Sequence, residues 1–198
     1  SAKYFNSIVQ TRNSSNFEKL IAQSLLGYVK VFENQLHDYK TIFNVIPKNY
    51  KNFALINNAF INCYLDNKKV EENFLRIINP NKLNFTRYNF FYINFLVSQN
   101  RNNEALKILD NNDDIFDTNL LLNQTRSWLK KGKTNSVKKI FDCRNPNHLI
   151  SEFFYLIANL LSSEENYALS NFYLNLSLYL NSDFIFNNAL LAENYFYL

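Results

Sequence analysis

Apolar helical stripes alternate with short polar turns at a nearly constant interval along this chain. Ile56, Ala59, Phe60 and Cys63 follow the i, i+3, i+4, i+7 spacing of one helix face. Phe91, Phe95 and Leu96 belong to a second stripe, and Leu121, Leu122, Trp128 and Leu129 to a third. Phe153, Phe154, Ile157, Ala158 and Leu161 make a fourth. After each comes a polar turn and then another amphipathic stretch. The turns are Asp66-Asn67-Lys68-Lys69, Gln99-Asn100-Arg101-Asn102, Lys131-Gly132-Lys133-Thr134 and Ser163-Glu164-Glu165-Asn166. Aligning Asn67, Asn100, Gly132 and Glu165 gives steps of 33, 32 and 33 residues.

Helix breakers keep the same period. Pro47 and Pro80 stand 33 residues apart, and Pro80 and Pro146 stand 66 apart. The skipped position, 113, lies in Asn111-Asn112-Asp113-Asp114, and one step beyond Pro146 falls beside Asn181-Ser182-Asp183. Two kinds of punctuation in phase predict stacked helix pairs: an all-α, right-handed α-α superhelix (a solenoid) of antiparallel pairs with a period of about 33. One such solenoid is expected over residues 1–198, with regular repeats over 50–198. The repeats run 53–85, 86–117, 118–150 and 151–183, with a partial unit at 184–198. Residues 1–49 read as irregular helix pairs. There Ala2 to Arg12 is a helix, Asn13 to Asn16 a capping turn, and Leu36-His37-Asp38 the turn of a further pair.

The unit from Ser151 to Asp183 has Ile157-Ala158, Leu161, Tyr167, Ser177-Leu178 and Asn181-Ser182 at its marker positions. Asn103-Glu104-Ala105-Leu106 reads as a second-helix opening, and Leu190 to Phe196 as the first helix of another unit. These pairs resemble tetratricopeptide repeats, whose unit is about 34 residues. Ile93 and Thr125 depart from the small residues that family has at its tight helix crossing, and the second helices before Pro80 and Pro146 are short. The resemblance implies a concave groove gripping an extended peptide or a helix. In that register Asn57, Arg87, Asn94, Arg126, Lys130, Tyr155 and Asn159 face the groove. The amides would fix a peptide backbone, and the cations would hold carboxylates.

Composition narrows the alternatives. With 2 Gly and 3 Pro, the chain lacks the turn residues of an all-β or phosphate-loop fold. Its 35 Asn, rich Lys, Ile, Phe and Tyr, and lack of low-complexity tracts read as AT-rich codon usage. Cys63 and Cys143, 80 residues apart and outside any ligand motif, read as two buried small hydrophobes. No membrane span or signal segment is visible, and localisation stays open between cytoplasm and periplasm. A chain without Met, ending in Phe196-Tyr197-Leu198 with no polar cap, is expected to be a piece of a longer array. Further repeats or a partner would then cover that end.

Candidate chemistry is sparse. Gly132-Lys133-Thr134 ends like a phosphate-binding loop, but Ser127 stands where the first glycine belongs. Asp110 to Asp114 spaces oxygens as a calcium loop does, but Ile115 and Leu121 occupy its Gly and Glu positions. His37 and His148 have no local partners, and Glu71-Glu72 and Glu164-Glu165 sit in helix first turns, where the dipole favours them. No catalytic, metal or cofactor site is therefore expected, and the chain reads as a non-enzyme. All 21 Lys and Arg lie in residues 1–144, which carry +9, against −5 for residues 145–198. The densest stretch is Arg126, Lys130, Lys131, Lys133, Lys138, Lys139 and Arg144. The expected partner is thus a protein or peptide, acidic if these cations recognise it. Nucleic acid is disfavoured because basic residues do not recur once per repeat. The competing readings are a helical-repeat nucleic-acid binder and a structural or oligomerisation arm of a longer enzyme.

Overall fold

In the computed structural model, residues 2–11, 15–34, 50–78, 86–111 and 119–198 are described. The breakers at Pro47, Pro80 and position 113, and the turn expected at Leu36 to Asp38, lie outside them. The described residues are all-α, with no strand among them. They form two compact units, Ser1–Ile61 and Asn62–Leu198.

In the first unit α1 (Ala2–Gln10) packs on α2 (Asn16–Phe32). Ser15 and Glu18 close a reciprocal capping box at the start of α2. Leu20, Leu26, Tyr28 and Val31 are buried in it.

Helix α3 (Lys51–Tyr64) carries the chain from the first unit into the second. There α4 (Val70–Ile78), α5 (Thr86–Ser98), α6 (Asn102–Asp110), α7 (Leu120–Lys130), α8 (Thr134–Ile140), α9 (Pro146–Ser163), α10 (Tyr167–Leu180) and α11 (Asn188–Tyr197) follow. A single turn of 3-10 helix at Ile185–Asn187 precedes α11. No helix of the described residues is long and apolar enough to cross a membrane.

The period expected from the turns has a conformational cause. Asp66, Asn100, Gly132 and Glu165 all adopt left-handed backbone, at φ 51, 61, 68 and 60°. After each, the next amide donates back across the helix end. Asn67 bonds Asn62 O, Arg101 bonds Leu96 O, Lys133 bonds Trp128 O and Asn166 bonds Leu161 O, at 2.8–3.0 Å. These are Schellman closures, which satisfy the last carbonyls of a helix while reversing the chain. Only at Gly132 is the residue the one that takes positive φ without cost. The first of these turns pivots at Asp66, one residue before Asn67. Asn34, at φ 59°, ends α2 in the same backbone state.

Within the second unit, sequential helices pack on one another: α4 on α5, α5 on α6, α6 on α7, α7 on α8, α9 on α10, and α10 on α11. Small residues let α9 and α10 approach closely. Ser151 and Ser177 exchange hydroxyl-to-carbonyl bonds of 2.8 Å, and Ser170 Oγ donates to Ala158 O at 2.8 Å.

Helix α5 reaches further than a neighbour. Tyr88, Phe90, Phe91, Tyr92, Ile93, Asn94, Leu96 and Val97 are all buried, so it is covered on nearly every side. It packs on α7 and α8 as well as its own pair. Phe91 meets Phe141 edge-on at 4.7 Å and stacks parallel on Phe184 at 5.9 Å. In a one-dimensional array each unit touches only the next. Here α5 also contacts residues far along the chain within the same unit, Glu152 and Phe184.

The α8–α9 connection is held at several points. Asn94 Nδ2 donates to Val137 O and Phe141 O at 2.9 and 2.8 Å, capping the end of α8. Cys143 is disulfide-bonded to Cys63 at the end of α3, with Cα atoms 5.8 Å apart. The cysteines are therefore not independent small hydrophobes. A separation of 80 residues leaves no local signature, and only the fold brings them together.

His148 Nδ1 accepts the Asp142 amide proton at 2.9 Å, and burial lowers the imidazole pKa despite Asp142 and Asp183 nearby. A depressed folded pKa contributes stability that is complete above the ordinary value of 6.5 and is lost as pH falls toward the lower folded value. Thermal melts from pH 7.5 to 5 should thus show a decline in wild type that is absent in His148→Asn. Parallel curves for the two proteins would refute this.

Candidate functional site

The second unit contains a largely apolar cleft of about 620 Å³. The N-terminal turn of α7 supplies Asn119, Leu120 and Leu121 as one wall. Ile185 and Phe186, with Asn188 and Ala189 at the start of α11, supply the other. Tyr155 of α9 and Arg87 of α5 complete the lining. Leu120 and Ile185 remain 73% and 59% exposed, unusually open for branched aliphatic side chains. Asn119 is N-cap of α7 because its Oδ1 accepts the Leu122 amide, and that bond fixes the wall in place.

Arg87 is built into the cleft rather than free on its surface. Its side chain is 16% exposed and its Nε and Nη2 donate to the two oxygens of Glu152 at 3.1 and 2.7 Å. Nη2 also donates to Asn187 Oδ1 at 2.8 Å, and Asn187 Nδ2 in turn donates to Ser177 Oγ. The guanidinium carbon lies 3.6 Å from the Tyr155 ring centre and 4.6 Å from that of Phe184, two cation–π contacts. Burial opposes the Arg87 charge, but Glu152 beside it holds the guanidinium pKa above its ordinary value. Burial pushes the Glu152 carboxyl up, and Arg87 pulls it back toward ionisation.

Of the residues expected to face one groove, Arg87 and Tyr155 come together here. Asn159 is exposed on α9, one turn beyond Tyr155. Asn94 is buried and spent on the α8 cap, because α5 has no open face. Asn57, in the first unit, is fully buried: Tyr28 Oη donates to its Oδ1 at 2.6 Å and its Nδ2 donates to Phe53 O. Neither amide is offered to a ligand. Arg126 and Lys130 turn to the end of α6, where Arg126 Nη2 donates to Leu109 O at 2.7 Å and Lys130 pairs with Asp110 at 2.9 Å. Lys139 likewise pairs with Asp183 and Arg144 with Asp66.

Glu152, Phe184, Asn187, Leu120 and Ile185 were not foreseen as site residues. Glu152 left one usable signal: a lone carboxylate inside the apolar run Leu149 to Leu161 requires a cationic partner if buried. No group of three or more potential metal ligands occurs among the described residues. No protein-family model, curated protein or solved structure matches the chain.

Proposed function

We propose that this chain is a non-catalytic protein–protein interaction module, a right-handed superhelix of tetratricopeptide-like helix pairs that holds a segment of a partner polypeptide. The cleft between α7 and residues 185–189 carries this reading. Its volume lies in the range of ligand pockets, its walls are apolar, and a few polar groups converge on it. Exposed Leu120 and Ile185 are its contact residues, and the Arg87–Tyr155 stack is its base. Aromatic residues and arginine are the side chains that most often dominate such interfaces. The four Schellman turns at nearly equal spacing support the repeat reading. The disulfide favours an oxidising compartment, such as the periplasm, over the cytoplasm.

A displayed random-peptide library selected on the folded protein tests this function. Selected peptides should lose about tenfold or more in affinity for Leu120→Asp and for Ile185→Asp, whose exposed positions tolerate the change. Binders indifferent to both substitutions would remove the cleft from the function. Strongly salt-dependent retention of RNA or DNA in place of peptides would favour the nucleic-acid reading instead.

A further inference from the structure

We infer that the cleft selects an uncharged, apolar stretch of polypeptide, oriented by a backbone carbonyl on Arg87 Nη1, and does not select acidic residues. This rests on the cleft being the binding site proposed above, and concerns what enters it.

Charge comes first. Among the described residues Arg87 is the one ionisable cation on the lining, and its charge is matched by the two-point contact with Glu152. A ligand carboxylate entering the cleft would lose its hydration without meeting an unmatched cation. A carboxylate on the remaining guanidinium nitrogen would share one cation with the Glu152 carboxylate, which is 2% exposed, and the two like charges would repel at short range. The acidic partner suggested by the chain's basic balance therefore has no receptor in this cleft.

The hydrogen-bond inventory then fixes the polarity of what does fit. Arg87 uses Nε and Nη2 on Glu152 and Asn187, which leaves both protons of Nη1 without an acceptor among the described residues. Tyr155 and Phe184 lie close against the guanidinium carbon, and Nη1 is the nitrogen left to receive a ligand atom. Asn119 spends Oδ1 on the Leu122 amide and keeps its Nδ2 protons, and the side-chain Nδ2 of Asn188 on the opposite wall has no acceptor among the described residues. The cleft thus offers more free donors than acceptors along an apolar channel. A polypeptide backbone supplies carbonyl acceptors at regular intervals, and its apolar side chains match Leu120, Ile185 and Phe186.

Three probes on the folded, oxidised protein test the inference by amide and arginine side-chain NMR: N-acetyl-Leu-Phe-Leu-amide, N-acetyl-Leu-Glu-Leu-amide and decanol. The neutral tripeptide should shift amides at 119–121 and 185–189 together with the Arg87 Nη signals. Its glutamate counterpart should bind at least about tenfold more weakly. Tighter or equal binding of the glutamate peptide at the same residues would overturn the selectivity while leaving a peptide site. Shifts from decanol alone would make the cleft a site for small apolar molecules and overturn the inference. Shifts from the neutral peptide that spare the Arg87 signals would overturn the carbonyl contact. No perturbation of the cleft by any peptide would overturn the inference and the interaction function with it.

Discussion

Replacing Cys63 and Cys143 together by alanine is expected to destabilise the second unit by about 4 kcal/mol, because the bridge closes a loop of 80 residues. In the chain-entropy account a cross-link acts mainly by restricting the unfolded ensemble, so the loss should appear without a change of fold. The melting temperature should fall by roughly 10 °C, and a reductant should reproduce the fall in wild type but do nothing in the double variant. Alanine is the proper probe at Cys63, which is 4% exposed, because serine would bury an unmatched hydroxyl there. The α8–α9 connection should keep its conformation near Phe141 after reduction, since the two Asn94 bonds hold it independently. Equal denaturation midpoints with and without reductant would refute a structural bridge.

Glu152→Leu should cost about 3 kcal/mol, the lower end for breaking a buried ion pair, because 16% of the Arg87 side chain still reaches solvent. The loss comes less from the missing attraction than from a guanidinium left desolvated against Tyr155 and Phe184. The combined Arg87→Leu and Glu152→Leu variant should recover most of it, since two apolar side chains need no partners. Urea titrations of the two single variants and the pair, treated as a double-mutant cycle, measure the coupling directly. Strict additivity would show that the charges do not act as a pair. Recovery of stability should not restore ligand capture if the Arg87 edge orients the bound segment.

The helix period was legible because its causes are local. A left-handed residue followed by a back-donating amide is set within about six residues, and polar clusters around Asp66, Asn100, Gly132 and Glu165 mark it. The amphipathic stripes were legible for the same reason, since i, i+3 and i+4 neighbours share a helix face whatever lies opposite. Groove residues were less legible, because the register tells which way a side chain points but not whether something stands in front of it. Asn94, expected to face a groove, meets the end of α8 instead, so its amide becomes a cap. Arg126 and Lys130 share a turn of α7, and both are drawn to the end of α6 by Leu109 O and Asp110.

By itself, then, the sequence determined an all-α chain of punctuated helix pairs and a C-terminal segment without cations. These follow from local hydrogen-bond closure, burial periodicity and composition. Only the tertiary structure decided that α5 is the hub of the second unit, that Cys63 meets Cys143, and that Arg87 is matched by Glu152 beneath an apolar cleft. Those facts join positions 65 to 80 residues apart. No spacing rule encodes such pairs, because they depend on how helices far apart in sequence pack, and that is set by the summed contacts of many side chains.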